Sequence, residues 1–230
     1  MNTNVAETFV ARAAVMLHEL LPEKGCVLTS SCDSLRPGNF YIMGVNPGGT
    51  PTESDPILSS HLESLPRLAG NLFAESAWSE RFEKGGHPIQ KNIATLAEWL
   101  EFDLATVCVS NLIFLQTPKT DMQLYKDFAP RCWPVHQLIL NIVHPKVLIV
   151  FGVGTVSPFR HLWQFQVPPS SRPRMQPSGH GNWPCYAFDI VEQDIPYRVI
   201  ALPHLSRYVL GGKDAVRDWV RKEAKSTGKA

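Results

Sequence analysis

A run of apolar residues, Val147-Leu148-Ile149-Val150-Phe151, lies between Lys146 and Gly152-Val153-Gly154. A strand with no polar face must be covered on both sides. That is the situation of a central strand in a parallel sheet with helices above and below. The run is far too short to cross a bilayer as a helix.

The rest of the chain supplies the covering elements. Over residues 4–21, Val5, Phe9, Ala13, Met16, Leu17 and Leu20 recur at helical spacing. Ile89 to Leu100 predicts a second helix, with Ile93, Leu96, Ala97 and Leu100 on one face. A third runs from about Tyr125 to Val143, and Pro130 and Pro134 predict a break or restart within it. A short helix is expected near Ser157–Trp163, and Ala215, Val216, Trp219 and Val220 mark a terminal one. Further strands are predicted over Asn39–Gly44, Ala105–Val109, Cys185–Val191 and Tyr197–Leu202, the last two joined by a turn near Asp194. Residues 50–86 read as loops with short helices. Residues 166–184 read as one long loop rich in Pro, Ser, Gly and Arg. The alternation of strands and helices predicts an α/β fold. It would be a three-layer α/β/α arrangement around a central, mostly parallel sheet of about four to five strands. With 230 residues the chain suits a single domain over 1–230, with 225–230 as a frayed tail.

Composition narrows the function classes. Hydrophobic residues make up 44% and charged residues 19%, a globular mixture. The cysteines number five, and no C-x-x-C pair occurs, which argues against a zinc ribbon and a four-cysteine iron–sulfur framework. Free thiols in a reducing compartment are expected. His61, His87, His136, His144 and His161 lack close metal-ligand spacing. No metal and no cofactor is therefore expected. Glu7, Arg12 and Glu19 interrupt the N-terminal stretch, so it lacks the apolar core of a signal peptide. A cytoplasmic, monomeric protein without a membrane partner is the expectation. The net charge of +1 neither requires nor excludes a nucleic-acid partner.

In sheets of this kind, ligands bind beyond the carboxyl ends of the strands. Asn46, Asn111 and His204 each fall just past a predicted strand end. Taken singly each has an ordinary structural explanation: Asn46-Pro47-Gly48-Gly49 is a turn sequence, and Asn111 and His204 can cap their own strands. Their order and position together carry the functional reading.

Gly44-Val45-Asn46-Pro47-Gly48 resembles the first motif of the mismatch-specific and single-strand-selective branches of the uracil-DNA glycosylase superfamily. Ser110-Asn111-Leu112 resembles the strand-end asparagine that reads the base, and Pro203-His204-Leu205-Ser206-Arg207 the His-Pro-Ser motif that closes the site. The resemblance spans roughly residues 39–220, with three short specific segments. It departs from the family in Leu205, where proline is usual, and in the lack of an aspartate in the first motif.

The resemblance implies an enzyme that flips a pyrimidine out of DNA and hydrolyses its N-glycosidic bond, leaving an abasic site. The transition state is oxocarbenium-like. His204 would donate a hydrogen bond to the departing base, and Asn46 would orient the water. Asn111 would pair with the base edge. Gly44, Val45, Pro47 and Gly48 would approach the flipped nucleotide, and Phe114, Phe73 or Phe82 would stack on it. Ser206, Arg207 and Tyr208, with Leu210, Arg172 and Arg174, would contact the DNA. Gly48 stands where the strictly uracil-specific branch has a bulky tyrosine. A base carrying a group at C5, as in modified phage DNA, therefore belongs among the expected substrates, for repair or antiviral defence. No motif carries a lysine, which argues against Schiff-base lyase chemistry. A nucleic-acid-binding protein that reads a flipped base without hydrolysis is the alternative, and a nucleoside or nucleotide hydrolase a third.

Overall fold

The Val147–Phe151 run lies inside a mixed six-stranded sheet, one strand or two more than the sequence predicts. The computed structural model describes residues 3–76, 82–168 and 170–226. The strands are β1 (Phe40–Gly44), β2 (Cys108–Asn111), β3 (Val147–Phe151), β4 (Arg174–Pro177), β5 (Pro184–Glu192) and β6 (Ile195–Leu202), in the order β2-β1-β3-β6-β5-β4. The four strands from β2 to β6 are mutually parallel, and β5 and β4 add an antiparallel edge. The helices are α1 (Thr3–Met16), α2 (Leu58–Ser64), α3 (Leu72–Glu75), α4 (Pro88–Leu100), α5 (Met122–Val143), α6 (Pro158–Gln166) and α7 (Asp214–Lys225). Residues 227–230, most of the predicted frayed tail, lie outside the described residues.

The period-two alternation of a strand divides the core into halves. Tyr41, Met43, Leu148, Val150, Val199 and Ala201 face a cluster that includes residues of α1, α5 and α6. Ile42, Val109, Ile149, Phe151, Ile200 and Leu202 face a second cluster with residues of α4 and α7. Helices thus cover both faces, as the apolar run requires. Among the described residues, no helix is long and apolar enough to cross a membrane.

Two elements depart from expectation. Pro130 and Pro134 do not break α5, which runs unbroken through both. Each proline removes one backbone donor. Ala129, Cys132, Trp133, Val135, His136 and Ile139 bury a continuous face around them, and that packing holds the helix. The long 166–184 segment contains β4, whose largely exposed Arg-Met-Gln-Pro sequence has neither the apolar alternation nor the composition of a strand. It pairs with β5 from Arg174↔Ala187 to Pro177↔Pro184.

Candidate functional site

The parallel strands deliver Asn46, Asn111 and His204 to one cavity of about 1110 Å³, at the carboxyl ends of β1, β2 and β6. Its size lies just above the usual range of small-molecule sites. Pro47, Gly48, Phe73, Phe82 and Phe151 also line it.

β1 and β2 pair in parallel with Gly44 opposite Asn111. A Cβ at Gly44 would come within 2.3 Å of Asn111 Oδ1 and 2.8 Å of Phe151 Cζ. Only glycine allows the asparagine amide to cross in front of β1. Asn111 is 6% exposed, and its side-chain amide makes no hydrogen bond with the described residues. Its polar atoms open into the cavity, because no fully buried side-chain donor or acceptor is left unpaired. A buried amide aimed into an open cavity is available to both edges of a ligand.

Asn111 is held from behind. His136 Nε2 lies 3.0 Å from the Leu112 carbonyl, and His136 Nδ1 lies 2.8 Å from the Tyr41 hydroxyl. Tyr41 in turn meets Ser110 Oγ at 2.5 Å. This fully buried chain fixes the residues on either side of Asn111. Burial pushes the His136 pKa down to about 3, so its imidazole is neutral.

His204 follows β6. The Ser206 backbone N–H donates to His204 Nδ1 at 3.3 Å, and Ser206 Oγ lies 2.7 Å from the same nitrogen. Nδ1 is therefore the acceptor, and the ring proton sits on Nε2 as a free donor. Burial, and secondly the nearby Arg207 charge, lower the His204 pKa and keep the ring neutral. The Phe151 ring meets the imidazole edge-on at 5.5 Å. Gly152, at φ 105°, allows the close approach there: a Cβ would stand 3.3 Å from Val45 Cγ2 and 3.9 Å from His204 Cδ2.

Asn46 is more committed than its neighbours. Its two Nδ2 hydrogens are shared among Thr117 Oγ1 (2.9 Å), the Thr117 carbonyl (3.2 Å) and the Pro47 carbonyl (2.9 Å). Thr120 Oγ1 donates to its Oδ1 at 2.5 Å. The amide stitches the glycine-rich loop to residues 117–120. The Oδ1 keeps one lone pair, enough to orient a water. A Cβ at Gly48 would meet nothing within 4 Å, so the cavity is open there.

Several expected site residues lie elsewhere. Phe114 is fully buried, 4.8 Å from the His136 ring, and belongs to the core rather than the cavity wall. Tyr208 is 1% exposed and its hydroxyl donates to the Ser178 carbonyl at 2.9 Å, so it anchors its loop and presents no wedge. Leu210 is likewise buried. Beside them in the loop the outward positions are Arg207, exposed, and Val209, 65% exposed. Val209 is the apolar side chain this loop presents, and it is legible only once the in–out alternation of residues 205–210 is known. Asn92 of α4 pins the loop, donating to the Leu205 carbonyl at 2.7 Å and accepting from the Leu210 N–H at 2.9 Å. Arg174 is neutralised by Glu223 (2.9 Å) and Asp189 (3.2 Å), so its charge serves the β-edge. Arg172 is exposed and donates to the adjacent Ser171 carbonyl. Ser206 reaches the site through His204.

The cavity also takes in residues without a motif, among them Asp55, His61, Asn71, Lys84 and Gln116. They come from the loop-rich 50–86 region and from the segment after β2, where nothing in the sequence pattern marks them. Among the described residues, no group of three His, Cys, Asp or Glu side chains is arranged to hold a metal.

The fold and site thus define an α/β protein with a deep, mainly uncharged cleft at the carboxyl edge of its sheet. No protein-family model matches the chain, and no curated protein matches it in sequence.

Proposed function

We propose that the protein is a monofunctional DNA glycosylase that receives a flipped pyrimidine in this cavity and hydrolyses its N-glycosidic bond. The observation that carries the reading is the pairing of two free polar groups in one cleft. One is the Asn111 side-chain amide, which makes no hydrogen bond with the described residues although the residue is only 6% exposed. The other is the neutral His204 with its proton on Nε2.

As the bond from C1′ to the base lengthens, negative charge gathers on the base oxygens and positive charge on the sugar. The Nε2–H of His204 supports that developing anion better than the neutral ground state, and so lowers the barrier. Asn111 holds the base through its amide. Phe151, Phe73 and Phe82 supply apolar surface for the heterocycle. Arg207 and Val209, both exposed on the loop that follows His204, offer a cation and an apolar side chain for the backbone and the gap left by the flipped base. The open space at Gly48 and the size of the cavity favour a pyrimidine bearing a substituent at C5 over strict selection for uracil, which fits a role in repair or in defence against modified phage DNA.

The test is base release from oligonucleotides carrying uracil or a C5-substituted pyrimidine. His204→Ala should slow release by about 100-fold or more, the scale of losing one oxyanion donor, with oligonucleotide binding retained. Because the histidine already carries its proton on Nε2 when neutral, the rate it contributes should stay level from pH 8 down through 6.5. A His204→Ala enzyme as fast as wild type would remove the histidine from the mechanism.

A further inference from the structure

Neither His204 nor Asn46 can take a proton from water at the sugar. The first presents a donor, and the second is an amide with its nitrogen bonded on three sides. The cavity nevertheless contains one carboxylate. Among the described residues that line it, Asp55 is the only Asp or Glu.

Asp55 is built into the wall. Its Oδ2 accepts from the Thr52 backbone N–H (2.7 Å), from Thr52 Oγ1 (2.9 Å) and from Gln116 Nε2 (3.2 Å). Oδ1 accepts from no described residue. Gln116 is itself a cavity residue, and its Nε2 would lie 3.7 Å from a Cβ at Gly49. It is followed by Thr117, which holds Asn46. The carboxylate, the glycine-rich loop and the Asn46 amide therefore belong to one hydrogen-bonded wall. Lys24 donates to the Glu53 carbonyl at 2.9 Å and to the Asp55 carbonyl, fixing the loop from beneath. The hydrogen bonds from Thr52 come first among the causes that lower the Asp55 pKa, with Lys24 the charged group beside it.

We propose that Asp55 is the catalytic base of the site: its free Oδ1 takes the proton of the attacking water, which Asn46 Oδ1 orients. The idea rests on the glycosylase reading. In the step, the water oxygen forms a bond to C1′ of the sugar and the C1′–N bond breaks with its electron pair leaving on the base. The water proton passes to Asp55, and His204 Nε2–H holds the base anion. Asp55 then returns the proton to solvent and the base takes one up. The sum is addition of one water across the glycosidic bond. The aspartate absent from the first motif is in this way replaced by a carboxylate from the loop that follows it.

The experiment compares the full-length wild type, Asp55→Asn and Asp55→Ala on the same oligonucleotides carrying uracil or 5-hydroxymethyluracil, under single-turnover conditions. Asparagine keeps an acceptor for Thr52, so the loop is retained while the base is lost. Release by Asp55→Asn should fall by about 100-fold or more, within the range for removal of a general base, with oligonucleotide affinity within about threefold of wild type. The decline of the wild-type rate in acid should be absent from the residual rate of Asp55→Asn. Formate should restore part of the Asp55→Ala rate, which a purely structural role would not allow. An Asp55→Asn rate within about threefold of wild type, or an Asp55→Ala enzyme that formate does not rescue, overturns the assignment of Asp55 and leaves the glycosylase reading standing. A wild type that releases no base from any member of the panel overturns both.

Discussion

Gly44 shows how one missing methyl can decide a site. The amide oxygen of Asn111 occupies the volume that a Cβ would need, and the Phe151 ring closes the other side. Gly44→Ala should therefore push Asn111 out of its present position. The expected cost is about 1–3 kcal/mol of stability, typical of overpacking, together with weaker binding of oligonucleotides. Urea unfolding and a binding titration check the two parts. A variant that is as stable as wild type and binds equally well would mean that Asn111 does not need this placement. His204 makes a complementary point: its usefulness comes from Ser206, whose backbone and hydroxyl choose the tautomer. The residue types Asn46, Asn111 and His204 were legible in the sequence as polar groups at strand ends, and the structure brings them to one cavity. The tautomer, the locked state of Asn46 and the carboxylate of Asp55 were not legible. They depend on hydrogen bonds between segments that are far apart in sequence.

At the scale of elements, the loop carrying His204 is braced by the segment that follows β4. The Tyr208 hydroxyl bonds the Ser178 carbonyl, and Lys213 Nζ donates to the Gly179 carbonyl at 2.9 Å. The His180 ring lies 5.7 Å from Tyr208 and 5.8 Å from Trp183. Trp183 is 46% exposed, and under the proposed glycosylase reading its indole face would stack on a base next to the flipped one. Trp183→Ala should weaken oligonucleotide binding about 10-fold, within the range for loss of one base–aromatic stack. Release at saturating protein should be unchanged. Equal affinities in a fluorescence-anisotropy titration would place the strand elsewhere. The same elements show where sequence reading stops. β1, β3 and β6 were legible because apolar strands buried on both faces leave a continuous signal. β4 left none, because its side chains are mostly exposed and its pairing with β5 is made by the backbone. Tyr208 and Leu210 looked like wedge residues, but the alternation of their loop turns them inward and turns Val209 outward. Pro130 and Pro134 looked like a break, but packing of the α5 face outweighs their local cost.

For the whole molecule, buried histidines tie stability to pH. Burial drives His61 and His161 to about 4 and His136 to about 3, all below the ordinary 6.5. The unfolded chain therefore binds more protons than the folded one between those values, and stability must rise with pH across that interval. The contribution is complete above about pH 6.5 and is lost as pH falls towards 4. Each group can contribute up to about 1.4 kcal/mol per pH unit. Urea midpoints at pH 7.5 and pH 5 should differ accordingly, with the acidic sample markedly less stable. Equal midpoints would mean that these rings are protonated as readily in the fold as outside it.

The glycosylase reading stands or falls on what leaves the DNA. Mass spectrometry of the solution after incubation with oligonucleotides bearing uracil or C5-modified pyrimidines detects the free base directly, and alkali treatment of the strand reports the abasic site. The wild type should give both signals with at least one such substrate. Tight binding of every oligonucleotide in the panel, with no free base and no alkali-labile site, would contradict it.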